Sequence, residues 1–161
     1  MSLSDRRSCL FLLAMLPVAA CGFTPAYAPG GAGQQLRGQV RAADPESGGD
    51  FDFVAAFEER LGRPTAARYA LDYRIETSER GGGRVAGLGE TRISVFGTIT
   101  YTLTEIESGD TVTEGSLRNF TGYSTTDTQL ATRRAQEDAQ ARLMRILADQ
   151  VANRLIAALA E

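Results

Sequence analysis

The chain has 161 residues, a formal net charge of −3, no histidine, no tryptophan and 17 basic residues, every one of them arginine. Its length corresponds to one domain with a single hydrophobic core. Without histidine the chain lacks the imidazole base and the commonest transition-metal ligand, and the acidic balance gives no support to nucleic-acid binding. We therefore expect no metal and no other cofactor.

The N-terminal segment has the pattern of an export signal. Arg6 and Arg7 precede an apolar run over residues 9–16, which is too short to span a bilayer, because that requires about 20 apolar residues. Small residues then lead to Cys21, and this arrangement resembles the lipobox of bacterial lipoproteins. The resemblance implies a signal peptide over residues 1–20 and a Cys21 acylated with diacylglycerol and palmitate. The alternative is an ordinary signal peptide with an incidental cysteine, and the paired arginines leave both the Sec and the twin-arginine routes open.

The cysteine content agrees with export. Cys9 lies in the predicted signal peptide and Cys21 at the predicted anchor, so the mature domain has no thiol and no disulfide framework. Gly22 follows Cys21, where many bacterial lipoproteins that stay in the inner membrane have aspartate. We therefore expect a lipid anchor in the outer membrane, with the domain on its periplasmic face.

The first predicted elements follow a tether. Residues 21–35 are rich in glycine, proline and alanine and predict a lipid-anchored linker. Alternating apolar and polar residues over 36–42 predict a short strand. Asp50 or Asp52 is expected to cap a helix that ends at Gly62. The apolar face of this helix consists of Phe53, Val54, Phe57 and Leu61.

Two clear strands follow, each with one apolar face. Their apolar positions are Tyr69, Leu71, Tyr73 and Ile75 in the first, and Ile93, Val95, Ile99, Tyr101 and Leu103 in the second. The glycine-rich residues 80–89 between them predict a long, flexible connection. Residues 107–110 predict a hairpin turn into a fourth strand over 111–123, whose poor alternation indicates a bulge or an edge position.

The last third predicts one long helix that reaches Ala160. Thr126 with Gln129 matches a capping box, and Asp127 is a second candidate cap. The predicted apolar stripe is Leu130, Leu143, Leu147, Val151, Leu155 and Leu159, opposed by Arg133, Glu137, Arg145 and Asp149. Such a helix is expected to overhang a small sheet, and it either packs on the core or inserts into a partner.

The predicted order is therefore β-α-β-β-β-α in one domain over residues 36–161. The corresponding fold class is α+β, with two layers: a four-stranded mixed or antiparallel sheet and two helices on one of its faces.

The chain as a whole resembles a known family. The lipobox, Cys21-Gly22-Phe23 with Pro25 and Tyr27, the element order and the long terminal helix are similar to those of the LPS-assembly lipoproteins. The segment Tyr123–Asp127, leading into an Ala/Arg-rich helix, resembles alphaproteobacterial members in particular. The resemblance implies a non-enzymatic outer-membrane lipoprotein of Gram-negative bacteria. It implies two partners besides the membrane: the LPS-translocating β-barrel, which such proteins plug and help assemble, and lipopolysaccharide, whose insertion into the outer leaflet they assist.

Four arginines are candidate lipopolysaccharide contacts, because guanidinium groups bind phosphate with two parallel hydrogen bonds. They flank the glycine-rich segment or lie in the following hairpin, and are Arg80, Arg84, Arg92 and Arg118. The alternative is that all four are solvated loop charges.

Two other functions stay open at this point. One is an auxiliary lipoprotein of an ABC or MCE-type lipid transport system. The other is a lipid-anchored hydrolase that uses carboxylates, which requires two acids converging in a cleft with raised pKa values. The adjacent pairs Glu58-Glu59 and Glu137-Asp138 argue against it, because neighbours on a helix diverge by about 100°.

Overall fold

The computed structural model describes residues 30–85, 89–125 and 128–160, apart from the side chains of residues 83–85, 89 and 90. The elements in chain order are α1 (Ala32–Leu36), β1 (Val40–Ala42), α2 (Gly48–Leu61), β2 (Tyr69–Val85), β3 (Gly89–Glu105), β4 (Thr111–Ser124) and α3 (Gln129–Ala158). None of the described helices combines the length and the apolar character needed to cross a membrane.

The four strands form one mixed sheet. Their spatial order is β1-β2-β3-β4, with β1 parallel to β2 and the other neighbours antiparallel, which confirms the predicted α+β class and element order, with α1 as an additional short helix. β2 and β3 have 17 residues each, or about 56 Å. The 30 residues of α3 extend about 45 Å. β2 and β3 are therefore at least as long as α3, and the part of α3 that extends past the core is the part before Ala139, its first buried residue.

The glycine-rich segment is part of the sheet. Arg80 lies opposite Ser94, and Gly82 lies opposite Arg92. Strand pairing extends to Val85 and resumes at Gly89, so the prediction of a long connection is wrong, and only residues 86–88 separate the two strands. A glycine keeps both backbone hydrogen-bonding groups, and the β2–β3 ladder satisfies them in spite of the weak strand preference of glycine.

The hydrophobic core lies between one face of the sheet and the helices α2 and α3. The ring of Phe53 on α2 lies 4.8 Å from that of Tyr73 on β2. Gly97 on β3 lets α3 approach closely, since a Cβ at this position would lie 3.0 Å from Leu143. The largest side chains in this core are fully buried: Phe53, Phe57, Leu36, Leu61, Leu71, Ile99, Leu103, Leu143, Met144, Leu147 and Leu155.

The start of the domain differs from the prediction. A short helix, α1, occupies the end of the predicted tether and part of the predicted first strand, and its Ala32 and Leu36 are buried. β1 begins only at Val40, after Gly38 has turned the chain with a φ of 69°. The strand prediction for 36–39 fails because Leu36 reaches the core from a helix. A few apolar residues in an alternating pattern do not distinguish a short helix from a strand.

The cap of α2 also differs from the prediction. Ser47 is the N-cap: its Oγ accepts from the Asp50 N–H at 3.2 Å, and its own N–H donates to Asp50 Oδ2 at 2.9 Å. This is a capping box in which Asp50 is the third helical residue, so neither Asp50 nor Asp52 is the cap. The predicted end at Gly62 is confirmed, with a φ of 81°.

β4 and α3 largely follow the prediction. β4 is an edge strand, and the register shifts between Leu103 and Thr104 opposite it, so both expected features are present. α3 is continuous and starts after Thr128, whereas Thr126 and Asp127 lie outside the described residues. Its buried stripe contains Leu143, Leu147, Val151 and Leu155, but the assignment of Leu130 was wrong, as this side chain is 70% exposed. The first buried residue of α3 is Ala139, so the turns before it lie beyond the core.

The buried hydroxyl of Tyr73 is expected to make the free energy of unfolding depend on pH in the alkaline range. Its hydroxyl is buried and has no hydrogen-bond partner among the described residues. Burial first, and then the charges of Asp50, Asp44 and Glu46, raise its pKa from 10.0 to about 12. The folded state therefore keeps this proton where the unfolded chain loses it, so stability is present below pH 10 and falls as the pH rises towards 12.

The test is urea unfolding of the wild type and Tyr73→Phe at several pH values between 8 and 12. We expect the difference in unfolding free energy between the two proteins to be constant up to about pH 10. Above that, the wild type should lose stability faster than the variant. Parallel curves over the whole range would contradict the assignment.

Candidate functional site: the open face of the sheet

One face of the sheet is covered by α2 and α3, and the other is covered by no described helix. On β3 the odd-numbered residues Val95, Ile99 and Leu103 are buried under the helices. Because side chains alternate along a strand, the even-numbered residues lie on the open face. On β3 these are Arg92, Ser94, Phe96, Thr98, Thr100, Thr102 and Thr104, and opposite them on β4 lie Glu114, Ser116, Arg118, Phe120, Gly122 and Ser124. The open face is therefore rich in hydroxyl and charged groups.

An aromatic pair interrupts this polar surface. Phe96 on β3 and Phe120 on β4 are direct cross-strand partners, and their ring centres lie 5.6 Å apart. Phe120 is 61% exposed. Neither ring is under the helices, so the pair contributes no surface to the core.

Two arginines flank the aromatic pair. The guanidinium carbon of Arg80, from β2, lies 5.4 Å from the centre of the Phe96 ring, and that of Arg118, from β4, lies 5.8 Å from the same centre. Cations at this distance are attracted to the face of the ring. Among the described residues neither arginine forms an ion pair within 4.0 Å. Their hydrogen-bond donors can therefore bind an external anion.

Three of the four predicted arginines share this face. Arg92 lies opposite Gly82 on β2 and Ser124 on β4. Its neighbour on the same face of β3 is Ser94, which lies opposite Arg80. The backbone of Arg84 pairs with Glu90, but its side chain is outside the description. Arg80 and Arg92 belong to paired strands and not to a loop, and both side chains are exposed. We call Arg80, Arg92, Arg118, Phe96 and Phe120 the arginine–phenylalanine cluster.

The sequence analysis did not single out the two phenylalanines. Phe96 directly follows the buried Val95, and Phe120 precedes the buried Thr121. Each therefore occupies the phase of its strand that belongs to the open face. A large aromatic residue in that phase is the sequence signal that predicts a contact surface.

Contacts between α3 and β4 hold the cluster in place. Thr121 Oγ1 donates to the Ala139 carbonyl at 2.8 Å, and the guanidinium of Arg142 donates to the Gly122 carbonyl at 3.2 Å. Thr121 and Gly122 are the two residues of β4 that follow Phe120. Tyr123 and Gln136 each donate to the carboxylate of Glu79, and burial raises the pKa of Tyr123. These hydrogen bonds hold β4 against α3, on the face of the sheet opposite the cluster.

The carboxyl groups considered for a hydrolase do not converge. Glu58 pairs with Arg63 at 3.3 Å, and Glu137 and Asp138 pair with Arg134 and Arg142 at 3.1 Å and 2.9 Å. Glu105, a carboxyl outside these pairs, has its pKa lowered by a hydrogen bond from Arg68, which is the direction opposite to the one a general acid needs. Cys21, the predicted lipidation site, lies outside the described residues.

Comparisons with known proteins agree with the geometry. The family model described as LptE, lipopolysaccharide-assembly, matches residues 23–155. A lipoprotein structure from Caulobacter crescentus superposes with a TM-score of 0.67 at 21% identity, covering 80% of this chain and 96% of that one.

Two further solved structures have the same fold. Rare lipoprotein B from Shewanella oneidensis gives a TM-score of 0.57 at 11% identity, over 74% of this chain and 92% of that one. Lipoprotein B from Nitrosomonas europaea gives 0.55 at 9% identity, over 74% and 82%. At such identities these likenesses show the fold alone. Among curated proteins, no sequence match was found.

The exposure of Phe120 predicts that folding does not require its ring. We expect Phe120→Ala to lower the unfolding free energy by less than about 1 kcal/mol, since the ring is already mostly exposed. The control Phe53→Ala, in the core, should cost about 3–5 kcal/mol. Urea unfolding of both variants measures the difference, and equal losses would show that Phe120 has a structural role.

Proposed function

The chain belongs to the LptE family of lipopolysaccharide-assembly proteins, and on this premise we propose that it is an outer-membrane lipoprotein that plugs and helps assemble the LPS-translocating β-barrel. In this role it also assists the insertion of lipopolysaccharide into the outer leaflet. The observation that carries the proposal is the open face of the sheet, which is polar along three strands and covered by no described helix.

The anchor in this proposal is an acylated Cys21. The family match begins two residues after it. An extended chain between Cys21 and Ala32, the first helical residue of the domain, reaches at most about 40 Å. Such a linker keeps the domain close to the periplasmic surface of the outer membrane, where a barrel opens. Two acyl signals are needed for stable anchoring, which fits a cysteine carrying both diacylglycerol and palmitate.

The open face supports the plug. Its threonine and serine hydroxyls donate and accept hydrogen bonds, so they can exchange between water and the polar inner wall of a barrel. The opposite face is sealed by α2 and α3 with a continuous hydrophobic core. A domain with one polar face and one face covered by helices can enter a water-filled lumen without exposing its hydrophobic core.

The arginine–phenylalanine cluster supports contact with lipopolysaccharide. Lipid A has phosphate groups and acyl chains. Arg80, Arg92 and Arg118 offer guanidinium donors for phosphate, and Arg84 stays a further candidate on the same strand. Phe96 and Phe120 offer an exposed apolar surface next to them. Binding and handing over a lipid in this way involves no bond making, so we propose a non-enzymatic protein.

The plug function predicts a stoichiometric complex. When the acylated protein is purified in detergent from its own outer membrane, we expect the LPS-translocating barrel to be recovered at a ratio of about one to one. Quantitative mass spectrometry of the purified material gives the ratio. Recovery without the barrel, or with a lipid transporter instead, would reject the proposal.

A matched control separates anchoring from recognition. Cys21→Ala should remove the protein from the outer-membrane fraction, while the circular dichroism spectrum and melting temperature of the domain stay unchanged.

The cluster predicts a loss of lipopolysaccharide binding upon charge removal. We expect Arg80→Ala with Arg118→Ala to weaken binding to purified lipopolysaccharide by about tenfold or more, since charge-assisted bonds to phosphate contribute about 1.5–3 kcal/mol each. The control is Arg63→Ala with Arg134→Ala, which removes the same charge from residues paired with Glu58 and Glu137. Equal affinities of the two double variants would remove the cluster from the binding site.

A further inference from the structure

The backbone of β4 is directed alternately towards β3 and towards the free edge. Just beyond β4, the N–H of Thr125 donates to the Thr91 carbonyl at 3.0 Å. Odd-numbered residues of β4 therefore bond to β3. Because backbone groups alternate in an antiparallel ladder, the even-numbered residues direct both N–H and C=O at the free edge of the sheet.

The protein closes only one half of this edge. At Phe120 the outward N–H donates to the side-chain oxygen of Asn119 at 2.8 Å, and at Gly122 the outward carbonyl accepts from Arg142 at 3.2 Å. Unpaired strand edges invite further strands, and such internal bonds block them. No described residue makes an equivalent bond to the outward backbone groups of Glu114, Ser116 and Arg118.

A groove runs along the unblocked half. It lies between residues 113–117 of β4 and the end of α3, where Arg154, Ala157 and Ala158 form its other wall. The two alanines do not fill the space beside the strand. Ser116, whose backbone groups point to the free edge, is thus one of the residues that line this groove.

We propose that the edge Thr113–Arg118 binds an extended segment of the barrel partner as a fifth strand of the sheet, a contact that rests on the proposed function. Main-chain hydrogen bonds supply affinity in such strand addition, and side chains supply selectivity. Glu114 and Arg118 carry opposite charges on either side of Ser116, on the same face. A segment that places a basic residue against Glu114 and an acidic one against Arg118 is accepted, and the reverse order is repelled.

A second copy of this chain fits the edge poorly. α3 packs more extensively over β4 than over β3. Antiparallel pairing of two β4 edges would place the two α3 helices on the same face, over strands about 4.8 Å apart, whereas packed helices need about 8–10 Å between their axes. A single extended segment brings no helix with it.

The test removes one edge donor. Ser116→Pro deletes the outward N–H and leaves the bonds between β3 and β4 in place, which is why proline is tolerated at edge positions of this kind. Ser116→Ala is the matched control. In the acylated full-length chain, purified in detergent with its barrel, we expect Ser116→Pro to retain about tenfold less barrel than Ser116→Ala. Equal retention by the two variants, with equal melting temperatures, would overturn the inference.

The outcomes for the two proposals are distinct. A wild-type protein that retains no barrel rejects the proposed function and this contact with it. A wild-type complex that Ser116→Pro does not weaken rejects only the contact. If Ser116→Pro fails to fold, Glu114→Arg replaces it as the variant, because it repels the basic residue expected opposite Glu114, and undiminished retention again counts against the inference.

A photo-crosslinking residue at position 116 identifies the occupant. The expected product joins Ser116 to one extended segment of the barrel polypeptide, located by mass spectrometry. A product with a second copy of this chain, or with residues 22–29 of the same chain, would show a different occupant and overturn the inference.

Discussion

The packing of α3 against a single face of the sheet is the constraint on which the remaining structure depends. Gly97 has no side chain, so Leu143 and Leu147 approach the sheet directly, and a Cβ at Gly97 would meet Leu147 at 3.2 Å. Once this face is occupied, the alternation of side chains assigns every even-numbered residue of β3 to the other face. The two phenylalanines and three arginines lie on the same open face for this reason.

Sequence patterns were sufficient for most of the fold, but not for the position of Arg80 and Arg118 beside the Phe96–Phe120 pair. Alternation placed β2 and β3 correctly because half of each strand is buried, whereas the glycines of residues 81–83 carry no pattern and were mistaken for a loop. α1 was missed since five residues are too few to show helical periodicity. Phe96 and Phe120 form a pair only through the β3–β4 register, and register depends on contacts between strands that a linear pattern does not contain.

Placement on strands changes what the arginines can do. A charge on a loop samples many positions, whereas Arg80 and Arg118 start from fixed points on the two strands next to β3, and both guanidinium groups lie within 6 Å of the centre of the Phe96 ring. Less side-chain freedom is then lost when a phosphate is bound, which favours affinity at an exposed site. The same placement sets the spacing between the guanidinium groups and the aromatic pair, and this spacing is the reason for proposing a ligand that has both anionic and apolar parts.

The open face and the free edge meet along β4, and α3 determines the properties of both. Arg142 donates to the Gly122 carbonyl and also pairs with Asp138 on its own helix, so the helix closes the edge beside Phe120 and fixes the cluster at the same time. Further along, Ala157 and Ala158 at the end of α3 line a groove beside residues 113–117 of β4, and no described residue bonds to the outward backbone groups there. The proposed lipid contact on the face and the proposed strand at the edge therefore occupy neighbouring parts of β4 and share Arg118, whose side chain lies on the open face.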